Sequence, residues 1–246
     1  MDNNVVISVK NLVKKFGSFV ANDNLTFEVG SGEIFGFLGA NGAGKTTAIR
    51  ILCGLLEPTS GDIIVAGFNG YTQRDKIKAN IGYMSQKFSL YEDLTVWENI
   101  RLFAGIYGVS RKLIQERANL LIENLGLEDY RNRPVADLPL GWKQKLAFSV
   151  AMIHKPTIIF LDEPTGGVDP ITRRRFWEMI YEVPDAGTTV FVTTHYMDEA
   201  EYCNRISIMV DGKIVALDSP SGLKAKYNAQ SMDEVFVKLA RNSQRV

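Results

Sequence analysis

The sequence has no uninterrupted apolar run near the roughly 20 residues that a helix needs to cross a bilayer. Its first residues, Met1-Asp2-Asn3-Asn4, are polar and lack the basic and then apolar segments of a secretion signal. We therefore expect a cytoplasmic chain that reaches a membrane only through a partner.

An excess of charge of either sign is also absent, because Lys plus Arg and Asp plus Glu both number 28. Nucleic-acid binders usually carry a basic excess, so this balance argues against that class while leaving room for a local basic patch. Cysteine is scarce: Cys53 and Cys203 are far apart and form no CxxC motif, so we expect two free thiols. The 246 residues suffice for one α/β domain, with or without an inserted lobe.

Apolar patterning predicts strands in the first and last thirds of the chain. Strand-like runs occupy residues 5–9, 25–29, 33–38, 62–66, 157–161, 188–192 and 205–209. A helix is expected over 46–56, ended by Pro58-Thr59-Ser60-Gly61, and Asp211-Gly212 has the composition of a hairpin turn. The C-terminal stretch that follows is expected to form short helices.

Residues from about 88 to 150 have a helical pattern instead. Two sets of apolar residues recur at i, i+3, i+4 and i+7: Ile100, Phe103, Ala104 and Tyr107, then Ala118, Leu121, Ile122 and Leu125. Gly126 follows the second set and is expected to end that helix. The pattern as a whole predicts an α/β core that carries an inserted helical lobe.

A complete GxxxxGK[ST] motif follows the third strand-like run. It reads Gly39-Ala40-Asn41-Gly42-Ala43-Gly44-Lys45-Thr46 and continues into Thr47. The glycines let backbone N–H groups turn toward a polyphosphate, and the N-terminus of the following helix adds partial positive charge. We expect Lys45 to reach the β- and γ-phosphates and the Thr46 hydroxyl to bind Mg²⁺.

Two carboxylates end a later apolar strand, Ile158-Ile159-Phe160-Leu161-Asp162-Glu163. Asp162 is expected to hold Mg²⁺, and Glu163 to polarise or orient the attacking water. The motif is weak alone, but it is specific when a complete phosphate-binding loop precedes it.

With both motifs present, the chain resembles the ABC ATPase family over nearly its whole length. The resemblance implies one ABC ATPase domain over 1–246 that binds ATP and Mg²⁺. Its core would be of the P-loop NTPase type, with an N-terminal antiparallel β subdomain and the helical lobe inserted at about 88–150. It also implies that Gln86 senses Mg²⁺ and the attacking water, and that His195 contacts the γ-phosphate.

Two further roles depend on the same resemblance, and the expectation for the second histidine comes from its local sequence. The loop ending in Asp169 would communicate across a dimer of cassettes, and Phe16 would stack on adenine, although ordinary core packing is the alternative for Phe16. The other histidine, His154, lies just before Lys155-Pro156, and we expect it in a surface loop.

The family's LSGGQ motif, which caps the γ-phosphate bound by the opposite subunit, is altered here to Leu138-Pro139-Leu140-Gly141-Trp142. Gly141 is expected to keep its N–H at a helix N-terminus, but a serine hydroxyl and the N–H at Pro139 are lost. Either the motif still closes the site less tightly, or the chain pairs with a second cassette whose motif is intact.

Residues 88–100, 194–201 and 233–237 resemble the ATP-binding subunits of bacterial exporters with a separate ABC-2-type permease. The resemblance implies a second cassette and a membrane permease as partners, and a location on the inner face of the membrane. Aromatic residues that could line a groove for the permease are Phe88, Tyr91, Trp97 and Phe103, although packing within the lobe is the alternative and is favoured for Phe103. A non-transport ABC ATPase acting on nucleic acid or ribosomes is the competing class, and a P-loop kinase or GTPase leaves Gln86 and His195 unexplained.

Overall fold

The computed structural model describes residues 5–86, 90–184 and 187–243. These residues form an antiparallel sheet, a mostly parallel sheet and helices, so the expected α/β class with an N-terminal antiparallel subdomain is confirmed. No helix among them combines the length and the apolar character that crossing a membrane requires.

The N-terminal antiparallel sheet consists of β1 (Val5–Phe16), β2 (Phe19–Gly30), β4 (Ser60–Val65) and β5 (Phe68–Asn69). The strands lie in the order β2-β1-β4-β5. Strand β1 buries Ile7, Val9 and Leu12, while most of its other side chains are exposed or half-buried. One face of this sheet therefore covers the core.

The second sheet consists of β3 (Ile34–Gly39), β6 (Ile81–Met84), β7 (Ile158–Asp162), β8 (Thr189–Thr194), β9 (Arg205–Val210) and β10 (Lys213–Asp218). Its order is β10-β9-β3-β8-β7-β6, and neighbouring strands are parallel except for the β9–β10 pair. Every residue of β3, β7 and β8 is buried, as expected for parallel strands covered on both faces. Asp211 and Gly212 form the predicted turn, both with positive φ.

Parallel pairing brings the carboxyl ends of β3, β6, β7 and β8 to one edge of the sheet. The register places Asp162 opposite Thr193, and Glu163 follows Asp162 directly. Gln86 and His195 lie one or two residues beyond their own strands. Residues far apart in sequence are thus collected where ligands bind in sheets of this kind.

A five-membered aromatic cluster fills the core between the two sheets. The ring of Phe191 lies 5.4–6.2 Å, centroid to centroid, from the rings of Phe27, Phe35, Phe37 and Phe160. Each such pair contributes about 0.5–1.5 kcal/mol beyond its area burial. The cluster joins β2 to the parallel sheet, so the antiparallel subdomain is packed firmly against the strands that carry the site.

The helical lobe consists of α3 (Val96–Ile106), α4 (Arg111–Leu125) and α5 (Leu140–Met152). Thr95 and Glu98 form a reciprocal capping box at the start of α3, and Gly126 ends α4 in the left-handed conformation. The two helices that the apolar repeats predict, and the stop at Gly126, are therefore confirmed.

The other helices of the described residues flank the core: α1 (Lys45–Leu52), α2 (Arg74–Asn80), α6 (Pro170–Tyr181), α7 (Pro220–Lys226) and α8 (Met232–Ser243). The expected end of the first helix near Leu56 is wrong. The chain leaves the helix at Cys53, and Gly54 adopts a left-handed φ of 68°. The N–H groups of Leu55 and Leu56 both donate to the carbonyl of Arg50, so this turn ends the helix before Pro58.

The expected surface position of His154 is also wrong. His154 is half-buried; its Nε2 lies 3.0 Å from the carbonyl oxygen of Ile81 in the edge strand β6. Its ring stacks on Tyr107 at a centroid distance of 4.0 Å. The ends of α3 and α5 thus meet at the strand that leads to Gln86.

Candidate active site

The phosphate-binding loop connects β3 to α1, and its last glycine has a strained backbone that only glycine accepts easily. Gly44 has a φ of 99°, and an added Cβ would overlap the carbonyl oxygen of Ala21. The buried side chain of Asn22 donates from Nδ2 to the Gly44 carbonyl over 3.1 Å. Strand β2 therefore packs against the loop and holds its last glycine in place.

Lys45, the first residue of α1, turns inward. Its ammonium group lies 2.8 Å from the carbonyl oxygen of Gly39, 3.1 Å from that of Ala40, and 3.3 Å from Oε1 of Glu163. The side chain is only 4% exposed. The loop lysine is thus held by two carbonyls and one carboxylate.

Glu163 is the centre of the site. Its Oε2 accepts a hydrogen bond from Nε2 of Gln86 over 2.9 Å and lies 3.1 Å from Nδ1 of His195. Its φ of 50° is unusual for a residue with a side chain, and its N–H donates to Thr193. Strain of this kind persists where the surroundings hold a functional residue in place. All four residues predicted to be catalytic, namely Lys45, Gln86, Glu163 and His195, therefore meet.

Asp162 lies beside this centre and is almost completely buried. Its Oδ1 accepts hydrogen bonds from the hydroxyl groups of Thr193, over 2.7 Å, and Thr46, over 3.2 Å. Its Oδ2 is buried without a hydrogen-bond partner among the residues that the structure describes. Burial raises the pKa of this carboxyl group, and the two hydroxyl groups partly counteract the shift. A carboxylate oxygen and a hydroxyl in contact fit the oxygen ligands that Mg²⁺ prefers.

A cavity of about 220 Å³ opens in front of these groups. Its lining residues are Phe19, Ala21, Asn41, Gly42, Gly44, Lys45, Thr46, Thr47, Gln86 and Glu163. Gly39 and Ala40 lie outside this lining and hold Lys45 through their carbonyls, while Ala43 is buried. A loop of backbone N–H groups with a buried cation is a site for a polyphosphate.

The ABC transporter family profile matches residues 22–166, which include the phosphate-binding loop, Gln86, Gly141 and both carboxylates. The chain belongs to the ABC transporter family. The expected resemblance is confirmed, and proteins of this family bind ATP.

Two relatives of this chain have names that describe transport. The probable multidrug ABC transporter ATP-binding protein YbhF of Escherichia coli is 47% identical over 239 residues, which are 95% of this chain and 41% of YbhF. The Nod factor export ATP-binding protein I of Cupriavidus metallidurans is 37% identical over 219 residues, 89% of this chain and 72% of the relative. The chain thus spans about two fifths of the length of YbhF.

A solved structure with the same fold is the ATP-binding cassette MJ0796, a dimer in a post-hydrolysis state bound to ADP and Pi. It has a TM-score of 0.77 and 27% identity, and the match covers 87% of this chain and 98% of that one. The expected ABC ATPase fold is therefore confirmed.

The altered ABC capping motif lies at a helix N-terminus, as the sequence predicts. Helix α5 begins at Leu140, directly after Pro139. A Cβ on Gly141 would lie 2.8 Å from Cγ2 of Thr172, so the glycine also allows α5 to approach α6 closely. Asp169 caps α6 by accepting hydrogen bonds from the N–H groups of Ile171 and Thr172.

Phe16 and Phe19 lie at one end of the site, at the turn between β1 and β2. Phe16 is half exposed, and the Lys14 ammonium lies 4.9 Å from its ring centroid. Phe19, which we did not predict, pairs with Phe16 across the β1–β2 turn and lines the cavity. Adenine stacking by Phe16 stays a prediction, and Phe19 is a second candidate at the same end of the site.

Sequence reasoning also missed Thr193 and Asn22. Thr193 meets Asp162 because β7 and β8 pair in one particular register, and that register is not visible in a single sequence. A buried asparagine such as Asn22 has no motif at all; its polar side chain among the apolar positions of β2 was the available signal.

Proposed function

We propose that this chain binds and hydrolyses ATP as the motor subunit of an ABC transporter that exports a substrate through a separate membrane permease. The contact of Glu163 with Lys45, Gln86 and His195, beside the phosphate loop, carries the proposal. A carboxylate placed among a cation, an amide and an imidazole is suited to polarise a water molecule for attack. A domain that only stored nucleotide would not need this group.

The same contacts indicate the order in which these residues act when nucleotide binds. Without nucleotide, the Lys45 ammonium neutralises the Glu163 carboxylate. The β- and γ-phosphates of ATP compete for that ammonium, so binding releases the carboxylate to accept a proton from water. Gln86 and His195 both contact Oε2 and keep it oriented, while the N-terminus of α1 binds the phosphate charge.

Mg²⁺ fits the second carboxylate. Thr46, Asp162 and Gln86 would hold the ion, and Oδ2 of Asp162, which has no hydrogen-bond partner among the described residues, is the atom best placed to bind it directly or through water. When bound, Mg²⁺ supplies charge neutralisation for the terminal phosphates. The Thr193 hydroxyl keeps the Asp162 carboxylate in its orientation.

We also propose that two cassettes close on ATP, with the α5 N-terminus of one capping the phosphate bound by the other. Leu140 and Trp142 are 46% and 36% exposed there, which is compatible with a surface that a partner covers. The dimeric state of MJ0796 supports this arrangement. Because the chain's own catalytic residues are complete, we favour a working variant motif over an obligatory heterodimer.

A groove of about 590 Å³ between the helical lobe and the core is the proposed docking site for the permease, which we place in the ABC-2 class. Leu55, Leu90, Phe103, Ile106 and Tyr107 are among its lining residues. Tyr91 lies against Phe103 with a centroid distance of 6.1 Å, whereas Trp97 is covered by the Arg131 guanidinium at 4.0 Å. Phe88 lies outside the described residues.

Export and location follow from the same proposal. The names of the two relatives describe multidrug transport and Nod factor export, and neither names a nucleic acid or a ribosome. We therefore favour a transporter subunit held at the inner face of the membrane by its permease, with the lobe inserted in one ATPase domain. The transported substrate is chosen by the partner.

The test is ATP hydrolysis by the purified chain, measured as phosphate release. We expect Lys45→Ala to lower the rate at least about 100-fold, because Lys45 is the cation placed to bind the terminal phosphates. Lys112→Ala is the matched control, since Lys112 is an exposed residue of α4. Full hydrolysis by Lys45→Ala would overturn the assignment, and co-purification with nucleic acid instead of a polytopic membrane protein would overturn the transporter role.

A further inference from the structure

The His195 ring packs against Tyr196, and Tyr196 in turn packs against Arg173. The Tyr196 ring lies against the His195 ring, with 4.2 Å between centroids and 35° between planes. The guanidinium carbon of Arg173 lies 3.9 Å from the centroid of the Tyr196 ring. A cation over a ring at this distance is attracted to it, and the flat guanidinium can also stack.

Arg173 is itself held in place. It lies in the first turn of α6, and its side chain is only 18% exposed. Its Nη1 lies 3.5 Å from Oδ2 of Asp198, and its Nε lies 3.7 Å from Oε1 of Glu199. Two carboxylates therefore hold the guanidinium over Tyr196.

Glu199 connects this group to the loop after the catalytic glutamate. The Thr165 hydroxyl donates a hydrogen bond to Oε1 of Glu199 over 2.5 Å, and Glu199 is 0% exposed. A carboxylate so buried is costly unless it is paired, and Arg173 provides the charge. The loop at Thr165, the start of α6 and the segment carrying His195 thus meet at one buried carboxylate.

We propose that Arg173 and Tyr196 are positioning residues, which hold the His195 ring in reach of Glu163, and that Glu199 ties them to the loop at Thr165. The contacts run without a gap from Arg173 to Tyr196, to His195 and to Oε2 of Glu163. The proposal rests on the ATPase function proposed above, in which His195 keeps Oε2 of Glu163 oriented.

Two substitutions separate the stacking of Arg173 on the Tyr196 ring from the ion pair of Arg173 with Glu199. Arg173→Lys keeps a cation near Glu199 but loses the flat group that covers the Tyr196 ring. Tyr196→Ala leaves the ion pair of Arg173 intact and removes the ring itself. Tyr196→Phe keeps the ring and is the conservative rescue, and Arg174→Lys is the matched control, because Arg174 is 82% exposed in the same helix.

Histidine NMR reads the position of His195 directly. The chain has two histidines, so each variant shows two sets of imidazole signals, and those of His154 are the internal reference. We expect Arg173→Lys and Tyr196→Ala to shift the His195 signals and leave those of His154 in place. The kcat for ATP should fall roughly 10- to 100-fold with KM changed less than about twofold. Tyr196→Phe and Arg174→Lys should leave both readouts near those of the unchanged chain.

Unchanged His195 signals or an unchanged kcat in Tyr196→Ala would overturn the proposal, since the Tyr196 ring would then not position His195. If Arg173→Lys fails to fold, Tyr196→Ala decides alone, because it keeps Arg173 beside Glu199. If the unchanged chain hydrolyses no ATP, the proposed function fails, whereas the His195 signals of Arg173→Lys, which keeps the Tyr196 ring, still decide whether Arg173 and Tyr196 position His195.

Discussion

The ammonium group of Lys45 lies 3.3 Å from the carboxylate of Glu163, and the two side chains are only 4% and 8% exposed. A buried pair of this kind holds together because removing either partner leaves the other charge uncompensated. In the proposed function, a phosphate that binds Lys45 would free the Glu163 carboxylate at the same moment. Nucleotide binding and release of this carboxylate would then be one event.

Glu163→Gln tests this link. Glutamine has almost the same shape but cannot accept a proton, so hydrolysis should fall about 100- to 10,000-fold. In this variant Lys45 has no Glu163 carboxylate to pair with, so the phosphates no longer compete for its ammonium group. The affinity for a fluorescent ATP analogue should therefore rise. Phosphate release and analogue titration measure the two effects, and weaker nucleotide binding would contradict the proposed competition for Lys45.

The same variant separates the two explanations of the altered capping motif. If Leu138-Pro139-Leu140-Gly141-Trp142 still closes a site, Mg-ATP should convert Glu163→Gln from monomer to dimer in light scattering. Exclusive monomer at high concentration, with dimer appearing when a second cassette is added, would instead indicate a heterodimer. ADP is the control nucleotide, because it lacks the phosphate to be capped.

Glycine substitutions distinguish the phosphate loop from the lobe. Gly44→Ala places a Cβ on the Ala21 carbonyl oxygen in a left-handed backbone, so we expect a lower melting temperature and lost ATP binding. Gly105→Ala is the contrast: it lies in α3, and an added Cβ meets nothing within 4 Å. Alanine there should stabilise the fold by about 0.5–1 kcal/mol. Thermal unfolding measures both, and tolerance of Gly44→Ala would contradict the steric argument.

A charged substitution tests whether the groove is the docking site of the permease. Ile106 is 65% exposed at its edge, so Ile106→Asp should weaken co-purification with a co-expressed permease at least about tenfold. ATP hydrolysis by the chain alone should not change. Leu120→Asp is the control, because Leu120 is 55% exposed on α4 and lies outside that groove. Equal loss of binding in both variants would argue against the groove as the docking site.

His154 should make stability depend on pH. Burial lowers the pKa of His154 from its ordinary 6.5, and its Nδ1 is buried without a partner in the described part of the chain. At this histidine the unfolded chain then binds more protons than the folded chain. The contribution of neutral His154 to the free energy of unfolding is therefore complete above about pH 6.5, and it is lost as the pH falls toward the lowered pKa. His154→Gln keeps a donor for Ile81 without titrating. Its melting temperature should depend less on pH between about 7.5 and 5.5, and parallel curves would contradict this account.

Local patterns predicted much of this protein correctly. The repeat of apolar residues predicted α3 and α4, and Gly126 ends α4 as expected, because these features depend on residues one turn apart. The helix after the phosphate loop ends four residues earlier than expected, because Gly54 turns the chain before Pro58 does. His154 was misplaced because its partners, Tyr107 and Ile81, are distant in sequence.

By itself, the sequence determined the phosphate loop, the two carboxylates and the family resemblance, since each is carried by contiguous residues of fixed chemistry. Only the tertiary structure decided that Lys45, Gln86 and His195 all touch one carboxylate, and that Arg173 and Tyr196 stand behind that histidine. The physical reason is strand register: parallel pairing aligns the ends of β6, β7 and β8. Side chains more than 70 residues apart thereby come within hydrogen-bond distance.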